Sequence, residues 1–314
     1  MRRPLFIIII TLLLVTLLGC EILQPKPDKP KIYFLGVGLD YKNIENSPQK
    51  PTLNHLNGTI ADTKELASAL YHRGKEMGVE VEITLMLQEG DTPDVEADLY
   101  PLKENIWNQI ERIKNKLTSS DIFIFYFAGH GELNVGGQSG DLVVGVKENN
   151  DSISTAEVLA IDQLYTQLKG IEATKLLILD SCYSGGHQVP YPQTPREREG
   201  GELRYLASQF YLLASAADEE SWETKHPDDH GFMTLQLLAA LGWDHFGNST
   251  LKDFENTPYI IDGHIPEGST SPIEKGGNIY LSDLFKYIRG VKNSRQKAQT
   301  GGGPIELILF SRHW

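Results

Sequence analysis

Cysteine is nearly absent: 314 residues contain two, Cys20 and Cys182. At most one disulfide can form, and it would tie a terminal segment to a core strand. Basic residues are short as well, 29 Lys and Arg against 42 Asp and Glu, for a formal net charge of -13. That balance argues against nucleic acid, whose phosphates attract Lys and Arg. It suits a cationic substrate, although net charge governs solubility more than function. After residue 31 there is no internal repeat and no low-complexity tract. The apolar run Leu5 to Leu18 falls short of the roughly 20 residues a bilayer-spanning helix needs. Core-forming residues are not scarce. A hydrophobic share of 40% is ordinary for a globular chain, and the length fits one domain of roughly 200–250 residues or two small ones.

The N-terminus reads as an export signal. Arg2 and Arg3 form a positive region ahead of the apolar run, as in a secretory signal peptide. The run closes on Leu17-Leu18-Gly19-Cys20. This resembles the lipobox of bacterial lipoproteins, which implies cleavage before Cys20 and lipidation of its sulfur. Pro25, Pro27 and Pro30 make the following stretch a stiff tether. The expected organisation is a signal over 1–19, a lipidated Cys20 and tether over 20–31, and one domain over 32–314. The implied location is the bacterial cell envelope, with the membrane reached through the lipid. Cys182 is then left without a cysteine partner, and a lone thiol in an exported protein is either inert and buried or reactive.

The domain reads as alternating strands and helices. Residues 31–38 and 79–87 are predicted strands, and 59–73 a helix. Leu102, Ile106, Ile110, Ile113 and Leu117 recur at steps of three and four, the mark of an amphipathic helix packed on a sheet. Asp121-Ile-Phe-Ile-Phe-Tyr-Phe127 is a continuous apolar run, suited to a strand covered on both faces. Further predictions are a helix over 154–169, strands over 175–179 and 210–214, helices over 231–241 and 281–291, and a final strand over 305–310. Residues 185–204, 218–230 and 244–278 resist assignment. The order implies an α/β sandwich with a mostly parallel sheet.

Ligands of such sheets bind beyond the carboxyl ends of the strands. The aromatic strand ends in Ala128-Gly129-His130-Gly131, and the next buried strand in Asp180-Ser181-Cys182-Tyr183-Ser184-Gly185. Cleavage of a peptide by a thiol needs a thiolate and a base that later protonates the leaving amine. His130 and Cys182 supply these groups, and the backbone N–H groups of Gly131 and Cys182 are candidate oxyanion donors. Taken singly, a histidine after a strand is an ordinary loop residue and a buried cysteine a small hydrophobe. Their pairing on one edge is what points to catalysis.

These motifs resemble those of caspases and metacaspases. Phe125-Tyr126-Phe127-Ala128-Gly129-His130-Gly131 is similar to the family's histidine motif, and Asp180-Ser181-Cys182-Tyr183-Ser184-Gly185 to the metacaspase nucleophile motif. The histidine precedes the cysteine by 52 positions, near the caspase spacing of about 50. The stretches 56–62, 212–223 and 230–234 extend the likeness. The resemblance implies a caspase-like three-layer α/β/α sandwich with a mostly parallel six-stranded sheet. It implies a cysteine-type endopeptidase with peptide or protein substrates, acting through a thioester acyl-enzyme. Asp62 and Asp180 would form the acidic floor of the S1 pocket and select Arg or Lys, since a buried guanidinium needs a carboxylate. A carboxylate at Asp62 is also what a helix start favours by itself.

The pattern departs from the family at Thr59, Ala61 and Ala128, where it has Cys, Asn and Ser, which leaves the S1 pocket less defined. No cofactor is needed for the chemistry. Calcium activates many metacaspases, but Asp141, Glu148 and Asp151 make no clear metal site and suit a solvated loop equally well. The family's maturation cut implies self-cleavage after Arg196, Arg198 or Arg204. A catalytically silent binding or scaffold module, or a transpeptidase using the same dyad, stays open, as does the oligomeric state.

Overall fold

The computed structural model describes residues 29–42, 54–90, 98–133, 140–148, 154–182, 210–214, 230–244, 250–251, 271, 273–290, 299–302 and 307–314. Strand β1 (Ile32–Leu39) leads through helix α1 (Thr59–Met77) to β2 (Val81–Gln88). Helix α2 (Lys103–Lys114) follows, and then β3 (Ile122–Ala128). Next come β4 (Gly131–Leu133), β5 (Gly140–Glu148), β6 (Ser154–Leu159), α3 (Ile161–Leu168), β7 (Thr174–Asp180) and β8 (Phe210–Ala214). The remainder holds α4 (Phe232–Leu241), β9 (Trp243–Asp244), β10 (Thr250–Leu251), β11 (Glu274–Lys275), β12 (Asn278–Tyr280), α5 (Leu281–Gly290), β13 (Gln299–Gly302) and β14 (Ile308–Ser311).

Six strands form the central sheet in the order β13-β8-β7-β3-β1-β2. The pairs β2–β1, β1–β3, β3–β7 and β7–β8 are parallel, and β13 runs antiparallel to β8. Alternate residues of each parallel strand face opposite sides. Phe34, Ile124, Tyr126, Leu176 and Ile178 pack with Leu66 and Leu70 of α1, Leu237 of α4 and Leu284 of α5. Leu35, Phe123, Phe125, Phe127, Leu177 and Leu179 pack with Ile106 and Ile110 of α2 and Leu164 of α3. The result is the three-layer α/β/α sandwich expected. It explains why β3 reads as an unbroken apolar run: both of its faces are buried.

Connection handedness places the site. The chain moves from β1 to β2 through α1 on one face, then back past β1 to β3 through α2 on the other. Right-handed crossovers in opposite directions demand opposite faces. The reversal opens a crevice beyond the carboxyl ends of β1 and β3, where ligands of such sheets bind.

Three local expectations need correction. Residues 154–169 are not one helix. β6 pairs antiparallel with β5, matching Leu142 to Leu159 and Val143 to Val158, and the helix begins only at Ile161. Local periodicity cannot reveal a partner strand, and pairing overrides a weak helical preference. The final strand forms at Ile308–Ser311 but pairs with β12 in a separate antiparallel sheet. The sixth strand of the central sheet is instead β13, whose sequence Gln-Thr-Gly-Gly carries no strand signal.

Candidate active site

The ends of β3 and β7 bring His130 and Cys182 to one edge. The two strands are in register to Ala128 and Asp180, and Gly129 N–H donates to the Asp180 carbonyl at 3.3 Å. Gly131 lies directly on the backbone of Cys182. A methyl group at Gly131 would stand 2.1 Å from the Cys182 carbonyl oxygen and 3.2 Å from its nitrogen. Residues on both sides of His130 thus touch the nucleophile segment, and a side chain at 131 would push the two strands' ends apart. Gly131 and Cys182, whose N–H groups are the oxyanion donors expected from sequence, are the two residues of this contact.

His130 is half-buried. Its Nε2 lies 2.7 Å from the carbonyl oxygen of Asn54. A carbonyl accepts only, so in the neutral ring Nε2 carries the proton and Nδ1 is the unprotonated nitrogen. The ring packs on Tyr41, with centroids 4.7 Å apart and planes inclined by 44°. The His130 carbonyl accepts from Val143 N–H at 3.0 Å. Cys182 is half-buried and not in a disulfide.

Asp62 and Asp180 meet in a second, buried cluster beside this edge. They are 1% and 5% exposed. Asp62 sits in the first turn of α1, where Thr59 Oγ1 donates to the Leu39 carbonyl at 2.6 Å and so ties the helix start to the end of β1. His230 Nδ1–H donates to Asp62 Oδ1 at 2.7 Å, and Gly231 N–H to Oδ2 at 2.8 Å. Asp180 Oδ2 accepts from Thr234 N–H at 3.1 Å and from Thr234 Oγ1 at 2.7 Å. Tyr126 hydroxyl then bonds Thr234 Oγ1 at 2.6 Å. A methyl at Gly231 would fall 2.5 Å from Asp180 Oδ2 and 2.9 Å from Asp62 Oδ2, so both carboxylates press on the glycine that precedes α4. Burial pushes the Asp62 carboxyl up to about 7, and the neighbouring Asp180 charge adds to this while the His230 bond opposes it. Burial, and then the charges of Asp62 and Asp180, also raise the Tyr126 phenol well above its usual range.

Of the other sites expected from sequence, the described side chains include that of Asp141. Asp141 Oδ1 accepts from Ile161 N–H at 3.2 Å and so holds the start of α3. Asp151, Cys20, Arg196, Arg198, Arg204 and the side chain of Glu148 lie outside the described residues. Among the described residues, no group of three or more His, Cys, Asp or Glu is arranged to hold a metal ion. No described helix is long and apolar enough to cross a membrane. Four residues entered without a prior role: Tyr41, Asn54, His230 and Thr234. His230-Gly231 ahead of a helix was a visible signal, whereas Tyr41 and Asn54 bear none in sequence.

The chain matches the sequence model of the family described as Caspase domain over residues 43–261. No curated protein matches it. Two of the solved structures similar to it can be named. One is a Geobacter sulfurreducens protein, 17% identical, with a TM-score of 0.50, covering 88% of this chain and 95% of that one. The other is pro-sf-caspase-1, 12% identical, with a TM-score of 0.43, covering 88% of each chain. The first likeness is one of fold alone.

Proposed function

Because the chain belongs to the caspase-domain family, we propose that it is a cysteine endopeptidase with Cys182 as nucleophile and His130 as its acid–base partner. One observation carries this reading: Gly131 packs on the Cys182 backbone, which sets His130 and Cys182 at the carboxyl ends of neighbouring parallel strands. The Cys182 sulfur, relieved of its proton by His130, adds to the scissile carbonyl carbon. The oxyanion accepts hydrogen bonds from the N–H groups of Gly131 and Cys182, each of which typically contributes about 2.7–4 kcal/mol in such a role. His130 returns the proton to the leaving amine as the C–N bond breaks, leaving a thioester. Water, deprotonated by the same imidazole, then releases the acid and the thiol.

Asp62 and Asp180 favour a basic residue at P1 in this reading. Two carboxylates in a protein-walled cluster would attract a guanidinium or ammonium group. Their internal partners restrict how that charge is met, because His230, Gly231 and Thr234 already donate four hydrogen bonds to them.

Fluorogenic peptides with Arg, Lys, Asp or Asn at P1 test both statements. Turnover by the wild type, highest for Arg and Lys and lost in Cys182→Ala, is expected. Turnover that survives Cys182→Ala removes the mechanism, and no turnover on any peptide favours a silent binding module. We further propose that Cys20 is lipidated, that the protein is held at the bacterial cell envelope, and that it cuts itself after Arg196, Arg198 or Arg204. Intact mass of the chain purified from membranes reads both processes. A single unmodified, uncut species overturns them.

A further inference from the structure

Tyr41 is out of keeping with its surroundings in three ways. It is the positive-φ non-glycine among the described residues, at φ 56°. A bulky aromatic residue occupies the left-handed region only where its neighbours over-determine the conformation, and such strain gathers at functional sites. Its side chain is fully buried. Its hydroxyl is spent on the segment that carries His130.

The over-determination is visible. Asp40 and Gln88, both buried, clamp the turn after β1 to the end of β2. Tyr41 N–H donates to Gln88 Oε1 at 2.8 Å, and Gln88 Nε2 donates to Asp40 Oδ1 at 3.0 Å. Gly90 N–H and Lys42 N–H donate to the same aspartate at 2.7 Å and 3.1 Å. This frame drives the tyrosine ring across the crevice between β1 and β3.

What the ring does there is specific. Tyr41 hydroxyl donates to the Val143 carbonyl at 2.5 Å and accepts from His130 N–H at 2.9 Å. Val143 N–H in turn donates to the His130 carbonyl. The hydroxyl thus closes a ring of bonds that fixes both backbone polar groups of His130. The aromatic face rests on the imidazole, and Asn54 takes the Nε2 proton. A methyl at Gly129 would fall 2.4 Å from the hydroxyl, so the main chain beside His130 leaves room for this oxygen and little else.

We infer that Tyr41 is a positioning residue for His130, its hydroxyl fixing the histidine backbone and its ring the imidazole plane, so that Nδ1 addresses the Cys182 thiol. This rests on the dyad proposed above. Burial keeps the phenol proton in place far above any working pH, against the pull of the His130 N–H bond, and negative charge at Cys182 and Asp40 adds to burial. The hydroxyl therefore donates and accepts in the same sense throughout the active range.

Tyr41→Phe removes one oxygen and keeps the ring. The test measures peptide turnover and, independently of any substrate, the rate at which iodoacetamide alkylates Cys182, read by peptide mass in the full chain. His130→Ala is the reference. The expected result is slower alkylation in both variants, with kcat in Tyr41→Phe lower by about 10- to 100-fold and KM nearly unchanged, as for a catalytic group misplaced without loss of binding. Faster hydrogen exchange at the His130 amide should accompany it. If His130→Ala slows alkylation while Tyr41→Phe matches the wild type in alkylation and kcat, the inference falls and the dyad stands. If His130→Ala also matches the wild type, the dyad falls and the inference with it. Should Tyr41→Phe not fold, Gly129→Ala displaces the same hydroxyl from the other side, and the same outcomes decide.

Discussion

Two clusters of polar residues lie side by side at the carboxyl edge of the sheet, and they are held by opposite means. His130 and Cys182 are half-buried, and contacts to their main chain place them: Gly129 on Asp180, Gly131 on Cys182, and Val143 and the Tyr41 hydroxyl on His130. Asp62 and Asp180 are buried, and their own carboxylates are anchored by His230, Gly231 and Thr234 at the start of α4. A group proposed to react is held here through its main chain. A group whose charge is buried must bond through its own oxygens, because an unpaired buried carboxylate is costly. The comparison separates residues whose loss should abolish activity from those whose loss should undo the fold.

The sharpest break is in activity. Cys182→Ala is expected to lower turnover by roughly 10⁴-fold or more and to leave the midpoint of urea unfolding nearly unchanged. A large loss of stability in that variant would erase the distinction. Thr234→Val should do the reverse. It strips Asp180 of a buried hydroxyl donor, and a hydrogen bond to a charged group contributes on the order of 2 kcal/mol. Urea unfolding should show this loss, while Thr234→Ser should restore most of it. Wild-type stability in Thr234→Val would mean the carboxylate is paired elsewhere.

A third effect concerns pH. The Asp62 carboxyl is raised from an ordinary 3.8 to about 7 in the folded protein. Between these values the folded state binds a proton that the unfolded chain has released. The resulting stabilisation is complete below about 4 and is lost as pH rises through 7. Unfolding free energies across that window should fall with pH, and Asp62→Asn should flatten the fall. An unchanged slope in the variant would place the titrating group elsewhere. The predicted preference for Arg or Lys at P1 should strengthen over the same range, as Asp62 gains its charge.

Much of this was legible in the chain itself. The apolar runs at β3 and β7, the stepwise isoleucines of α2, and the glycine-flanked His130 and Cys182 announce a parallel sheet with chemistry at its edge. The edge strand β13 was not legible, because the sequence Gln-Thr-Gly-Gly that pairs with β8 carries no strand signal. Nor was β6, whose antiparallel pairing with β5 leaves no mark in local periodicity. Thr234 looked like an ordinary helical residue, although its hydroxyl holds Asp180 from 54 positions away.

Sequence alone determined which chemistry was available. A thiol after one buried strand, a histidine between glycines after another, and the two aspartates Asp62 and Asp180 are composition and order, and these survive without coordinates. Tertiary structure alone decided how the groups are held. Tyr41 reaches His130 across 89 positions, and His230 reaches Asp62 across 168. Contacts of that separation arise from crossover handedness and strand order, which are properties of the packed sheet and leave no mark in the local pattern of any one segment.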